Sequence, residues 1–294
     1  MFDRLKSSWA LLKASAAVLR ADKHLIVFPI ISAIASLFVS AAFFVPAALY
    51  AYSHHLFNVS ENASRHSNEI NMQLHSPLGY MAMFTFYVVQ YTIVFFANTA
   101  LVGAALIRLR GGQPTVGAGF ALAASRMSAI LGYALISSTV GMVIRAISER
   151  TGFVGRMGMG LFGLAWNVAT YLVAPVLIAE NVGPIEAIKR SANLLKRTWG
   201  EQIIGNAGLG TAFGLIVLLV IMLFVPLFIG AASMESAPLI ITLVVLFVLA
   251  FTALLLIQAA LTGIYTAAIY LYASENVGGG PFDPEMIHSA FRAK

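Results

Sequence analysis

An all-α fold that crosses a membrane six times, as three helical hairpins entered through cytoplasmic amphipathic elbow helices, is what this sequence predicts. Two observations lead there. Of the 294 residues 60% are hydrophobic and 10% charged, whereas a soluble domain carries roughly 25% charged residues. Too little charge remains to cover a water-facing surface, so lipid must solvate much of the chain. The second observation is a series of charge-free gaps at 24–60, 70–107, 127–144, 157–179, 202–234 and 236–274. A charge at the bilayer centre costs about 2.5–3.5 kcal/mol, and about 20 helical residues cross the hydrocarbon.

In chain order, residues 1–24 read as a cytoplasmic amphipathic helix. Arg4, Lys6, Lys13, Arg20 and Lys23 are spread through it, which does not fit a cleavable signal. Leu5, Trp9, Leu12, Ala16 and Leu19 would form its apolar stripe. The spans then fall at about 25–52, 78–107, 128–147, 161–180, 203–231 and 238–273 within a membrane domain at 25–273. The third is the weakest, holding Ser137, Ser138 and Thr139 and closing at Arg145. Residues 274–294 form a cytoplasmic tail with a short amphipathic helix. Pro29, Pro46, Pro175 and Pro226 are expected to kink spans near their ends.

Orientation follows the distribution of Lys and Arg. With both termini inside, the cytoplasmic segments hold five, three, four and two cations, and the outer segments one, three and none. The positive-inside rule favours that arrangement, with Arg145, Arg150 and Arg156 in an outer 145–160 loop as the exception. The expected location is the bacterial cytoplasmic (inner) membrane.

The cytoplasmic exits share a grammar: Arg110-Gly-Gly-Gln-Pro114, Glu180-Asn-Val-Gly-Pro184 and Glu275-Asn-Val-Gly-Gly-Gly-Pro281. Glycine supplies a left-handed turn that closes a helix, and proline suits the first turn of the next. After Pro184 comes an amphipathic segment ending at Trp199. Ile185, Ile188, Leu195 and Trp199 fall near one face, and Lys189, Arg190, Lys196 and Arg197 occupy much of the rest. Such a helix suits the headgroup layer, its cations near anionic phospholipid.

The stretch from Trp166 to Trp199, with Pro175, Glu180, Pro184, Ala187-Ile-Lys-Arg-Ser191 and Leu195, resembles a motif of uncharacterised six-helix prokaryotic membrane proteins. It is similar to the membrane domain found with some glycerophosphodiester phosphodiesterases. Residues 110–135 fit the same group. The resemblance implies the fold and a lipid headgroup setting; a soluble hydrolase has no room in this chain.

Chemistry-bearing clusters are sparse. Without cysteine there is no disulfide, thiolate metal site or cysteine nucleophile. The basic balance of +6 serves topology rather than nucleic acid. His54, His55, His66 and His75, with Glu61 and Glu69, share the first outer loop, but their spacing matches no closed metal site, so neither metal nor cofactor is expected. Gly158, Gly160 and Gly163 fit G-x-G-x-x-G without a preceding strand and read as packing positions. So do Ser32, Ser36 and Ser40, and the Gly210/Gly214 pair.

Polar groups at membrane depth are Gln90, Asn98, Asn167, Asn206 and Gln258, as a shared cavity or as interhelical hydrogen bonds. No ionisable side chain lies near the centre of a span, which weighs against proton coupling. The leading expectation is a non-enzymatic membrane protein that binds lipid or a membrane partner, serving envelope homeostasis and able to form a homo-oligomer. A transporter or channel for a small or amphiphilic solute is the alternative. A lipid-modifying enzyme is the third, with Glu180, Asn181, Lys189 and Arg190 as its polar cluster.

Overall fold

The computed structural model describes residues 2–53, 76–199, 208–284 and 287. The described residues are mainly helical, with α1 (Phe2–Ala21), a 3-10 turn (Lys23–Ile26), α2 (Val27–Ser53), α3 (Pro77–Leu109) and α4 (Val116–Ser125) forming the first part. They continue with α5 (Met127–Arg150), α6 (Phe153–Ala169), α7 (Val173–Glu180), α8 (Pro184–Trp199), α9 (Gly208–Ser233) and α10 (Ala237–Glu275). Six stretches are long and apolar enough to cross a membrane: Lys23–Leu49, Pro77–Leu109, Met127–Arg150, Phe153–Glu180, Phe213–Ser233 and Ala237–Glu275. The protein is a polytopic all-α membrane protein.

The second span, α3, is the hub. It packs against α2, α4, α5, α7 and α10. Ser76 starts it, its Oγ accepting the Gly79 N–H at 3.1 Å with proline in the first turn. Small residues let partners approach: a Cβ on Gly263 of α10 would stand 2.4 Å from Leu101 Cδ2, and one on Gly119 of α4 would stand 2.9 Å from the Ala100 carbonyl oxygen. The expected Gly210/Gly214 pair is described at one member only. Gly214 has open space beside it, and the side-chain surroundings of Gly210 lie outside the described residues.

Buried residues concentrate in one half of the bundle: 97–109 of α3, 260–271 of α10, 172–177 of α7, and the apolar faces of α1 and α8. In the opposite half the most apolar stretch of α10 buries none of its residues within the protein. There α9 and α10 hold each other through Phe224 against Phe247, with ring centroids 5.1 Å apart. Most of the rest of their surface in this half is exposed and apolar.

Side-chain bonds bring the exits to one end, here termed the elbow end. Arg110 pairs with Glu275 at 2.6 Å, Tyr270 donates to Glu180 at 3.2 Å, and the Arg126 guanidinium donates to Asn181 Oδ1. The exits of the second, fourth and sixth spans therefore meet the start of the third. All three exits stop in the left-handed region, at Gly111 (φ 87°), Asn181 (φ 52°) and Asn276 (φ 55°). Asparagine supplies two of these turns where the sequence pattern pointed to glycine, because its short side chain tolerates that conformation.

Three expectations change. Residues 145–160 are helical apart from a turn at Thr151 and Gly152: α5 runs to Arg150 and α6 begins at Phe153. Arg145 is held within α5, donating to Glu149 at 2.8 Å and to Tyr87 at 3.0 Å, so it is not a free loop charge. The faces of two elbows are also rotated. In α1 the buried residues are Leu11, Leu12, Ala14, Ser15 and Val18, so Leu12 of the expected stripe is buried while Trp9 is 50% exposed; α1 packs on α9 and α10. In α8 they are Ala187, Ser191, Leu194 and Leu195, while Ile185 is 61% exposed. Both elbows bury one face against protein and leave apolar residues exposed on another, and sequence alone shows only their sum.

Candidate functional site

The fourth span is broken. Pro175 lacks an N–H and its ring opposes the carbonyl of Tyr171, four residues back. The helix stops at Ala169 and restarts at Val173. Across the gap Tyr171 N–H bonds the Val168 carbonyl at 3.2 Å and Val173 N–H bonds that of Thr170 at 3.1 Å, both tighter than α-helical spacing. The Leu172 N–H is left over, and Ser191 Oγ of α8 accepts it at 3.0 Å in a fully buried setting. An elbow helix thus completes the backbone of a spanning helix.

From that junction the polar contacts run to the elbow end. Arg190 of α8 grips Glu180, the last residue of α7, at 2.9 and 3.2 Å, and Tyr270 of α10 donates to the same carboxylate. Two of the expected headgroup residues, Glu180 and Arg190, therefore serve each other. Lys189, Lys196 and Arg197 remain exposed on α8 and form no ion pair among the described residues. The side chain of Trp199 lies outside the described residues.

Two cavities flank this framework. One of about 190 Å³ lies between α3, α5 and α6, where Tyr91, Tyr133, Ser137, Trp166, Asn167 and Thr170 bring rings and polar atoms together. Ser137 is 4% exposed and its Oγ has no partner. The other, of about 430 Å³, lies at the elbow end between α1 (Ala17, Val18, Ala21), the exit of α3 (Arg108, Leu109, Gly111) and Gly280-Pro281. Arg108 is the one charged residue lining it, and it makes no ion pair among the described residues.

The amides at membrane depth part company. Gln90 Nε2 donates to Ser40 Oγ at 3.0 Å and the Ser36 carbonyl at 3.4 Å, so the serine stripe of α2 serves packing within one chain. Asn98 lies beside Gly263, Gln258 is half-buried on the same helix as Gly263, and only Asn167 lines the smaller cavity. No hydrogen bond joins Asn98, Asn167 and Gln258 among the described residues. Asn206 and the histidine-rich segment 54–75 lie outside the described residues. Among the described residues no cluster of three His, Asp or Glu could hold a metal ion. Gly158 and Gly160 on α6 have nothing packed beside them. Sequence reasoning gave no site role to Arg108, Ser137, Ser191, Tyr91 or Tyr133. Ser137 stood out only as a polar residue of the third span, and Ser191 only inside the Ala187–Ser191 motif.

These features define a multi-pass α-helical membrane protein with a discontinuous fourth span and a polar-bonded elbow end. The chain belongs to a family of unknown function, DUF6159, which matches residues 77–280. Residues 1–107 are in addition similar to the plasma-membrane choline transporter family. No curated protein and no solved structure matches the chain.

Proposed function

We propose that this is a non-enzymatic protein of the bacterial inner membrane that holds an anionic lipid at its cytoplasmic elbow end. The observation that carries the reading is the cavity of about 430 Å³ between α1 and the helix exits, apolar apart from Arg108. An acyl chain fits the apolar wall. The guanidinium, a bidentate donor for phosphate, suits the headgroup, and Lys189, Lys196 and Arg197 add positive charge on the same end. The resemblance of residues 166–199 to membrane domains that accompany glycerophosphodiester phosphodiesterases supports the same setting. An envelope role would follow from that placement.

Native mass spectrometry of gently extracted protein tests this reading and also reports whether the chain assembles with itself. The expected result is one retained anionic phospholipid per chain, lost several-fold in Arg108→Gln and less in the triple Lys189→Gln, Lys196→Gln, Arg197→Gln variant. Equal retention in Arg108→Gln overturns it.

A second reading, transport of a small solute, is favoured by the broken fourth span beside a polar cavity. Discontinuous helices line substrate sites near the midplane of many transporters because they free backbone groups there. The similarity of residues 1–107 to choline transporters supports it. Uptake of solute into proteoliposomes above the empty-vesicle rate is the test, and no such uptake removes it.

A further inference from the structure

We infer that the cavity between α3, α5 and α6 is a binding site for the flat, uncharged carbonyl head of a lipid-soluble quinone. The site lies apart from the elbow-end cavity, and rests neither on the lipid reading nor on the transport reading. Ser137 lies ten positions along α5 from Met127, roughly 15 Å at the helical rise, midway through about 30 Å of hydrocarbon. Asn167 stands midway between Phe153 and Glu180, the ends of the fourth span. Other hydroxyls on the same helices find partners in their own backbone: Thr92 and Thr139 donate to the carbonyls of Val88 and Leu135 at 2.7 and 2.8 Å. The Ser137 Oγ is buried and makes no such bond, which is costly at this depth. It lines a hollow, so a ligand oxygen can accept its proton.

The walls select the ligand. No charged side chain lines the cavity, and an ion near the bilayer centre without a counter-charge is strongly disfavoured, so the occupant is neutral. The Trp166 indole N–H can only donate, the Asn167 amide brings two N–H groups, and Ser137 has a proton to give. Thr170 already gives its own to the Trp166 carbonyl at 2.8 Å. Such a lining suits an acceptor that carries no proton itself, which is a carbonyl oxygen. Tyr91, Tyr133 and Trp166 add rings from three helices, and the Tyr133 ring is held by Phe95 with centroids 4.2 Å apart. A flat, electron-poor ring bearing carbonyls stacks on electron-rich rings in a way that a flexible ester chain does not.

Size and access agree with a small head on a long tail. The hollow exists because Gly141 and Gly163 line it without side chains. A Cβ on Gly163 would come no closer than 3.9 Å to Ile144 Cδ1, and one on Gly141 no closer than 3.8 Å to the Tyr91 hydroxyl. At about 190 Å³ the space is below the ~300–1,000 Å³ typical of drug-sized ligands, which admits a compact ring head and leaves a tail outside. Tyr91 is 41% exposed and Asn167 is exposed as well, so the cavity opens through the side of the bundle at the depth where hydrocarbon chains lie. A lipid-borne head can enter there directly from the bilayer. Gly160, close to two turns before Asn167 on the same side of α6, has open space beside it, which leaves room for the tail.

The test uses the full chain in nanodiscs with Trp9→Phe and Trp199→Phe, so that Trp166 is the remaining tryptophan. The probe is 2-methyl-1,4-naphthoquinone, which finds no cysteine to alkylate in this chain. Its quenching of Trp166 fluorescence is expected to saturate at one probe per chain. Excess 2-methylnaphthalene, the same rings without the oxygens, should not relieve it. Ser137→Ala should weaken binding roughly tenfold and leave the unfolding midpoint no lower, because the hydroxyl has no partner within the protein. Gly163→Leu should abolish saturation by filling the hollow; should that variant not fold, Ser137→Ala decides alone. Quenching that rises without limit as the probe dissolves in the lipid overturns the site. So does relief by 2-methylnaphthalene, or an affinity indifferent to Ser137→Ala. Relief by dioleoylglycerol at equal concentration gives the hollow to a hydroxyl-bearing lipid and overturns the quinone assignment.

Discussion

At Ser191 a single hydroxyl takes the N–H that the broken fourth span cannot satisfy itself. Replacing it by alanine leaves the buried Leu172 N–H without an acceptor, at a cost of about 1–3 kcal/mol. Ser191→Ala is therefore expected to lower the unfolding midpoint of the detergent-solubilised protein clearly. Gln90→Leu should do less, because interhelical hydrogen bonds in membranes average about 0.6 kcal/mol. Equal effects would mean that the Leu172 N–H finds another partner. Gly263 is limited by sterics instead. A Cβ there meets both Leu101 Cδ2 and, at 2.8 Å, Leu101 Cγ, so Gly263→Val should overpack the α3–α10 contact by about 1–3 kcal/mol, read in the same unfolding assay. Ser191 was visible in a motif but its partner was not, since nothing local links positions nineteen residues apart.

Among the elements, α7 is the unusual one: eight residues between a proline-made gap and a left-handed asparagine. Pro175 destabilises a continuous helix by about 3 kcal/mol. Pro175→Ala allows residue 175 to donate to the Tyr171 carbonyl and lets α6 run into α7. The variant is expected to unfold no more easily than the natural chain in the same assay. Lower stability would show that the gap serves packing. The sequence pointed to Pro175 as a kink, and the break lies where it said. The depth of the break was hidden because it needs an outside acceptor, Ser191, on a helix whose buried face differs from its most apolar line. The rotations of α1 and α8 have the same origin: each buries one face against protein and leaves apolar residues such as Trp9 and Ile185 exposed, and a periodicity that sums two apolar faces cannot say which is which.

Across the whole molecule the bonded exits gather at one end, and the expectation from the charge pattern is that this end faces the cytoplasm. The absence of cysteine makes it easy to test, since Gly117 on α4 and Gly152 in the α5–α6 turn are both exposed with open space beside them. With a membrane-impermeant maleimide, Gly152→Cys is expected to label on intact cells and Gly117→Cys only after the membrane is opened; the reverse pattern would invert the topology. What the sequence by itself determined is the number of spans, their rough limits, the three stop signals and the exclusion of thiol chemistry. Those depend on sums of local transfer free energies and on backbone preferences of a few adjacent residues. Tertiary structure alone decided that the core lies in the elbow half, that Glu180 belongs to Arg190 and Tyr270, that Ser191 mends the fourth span, and that rings from three helices meet at Ser137. Each of these joins residues far apart in the chain, and only the packing of helices against one another selects which of many such pairs come within reach.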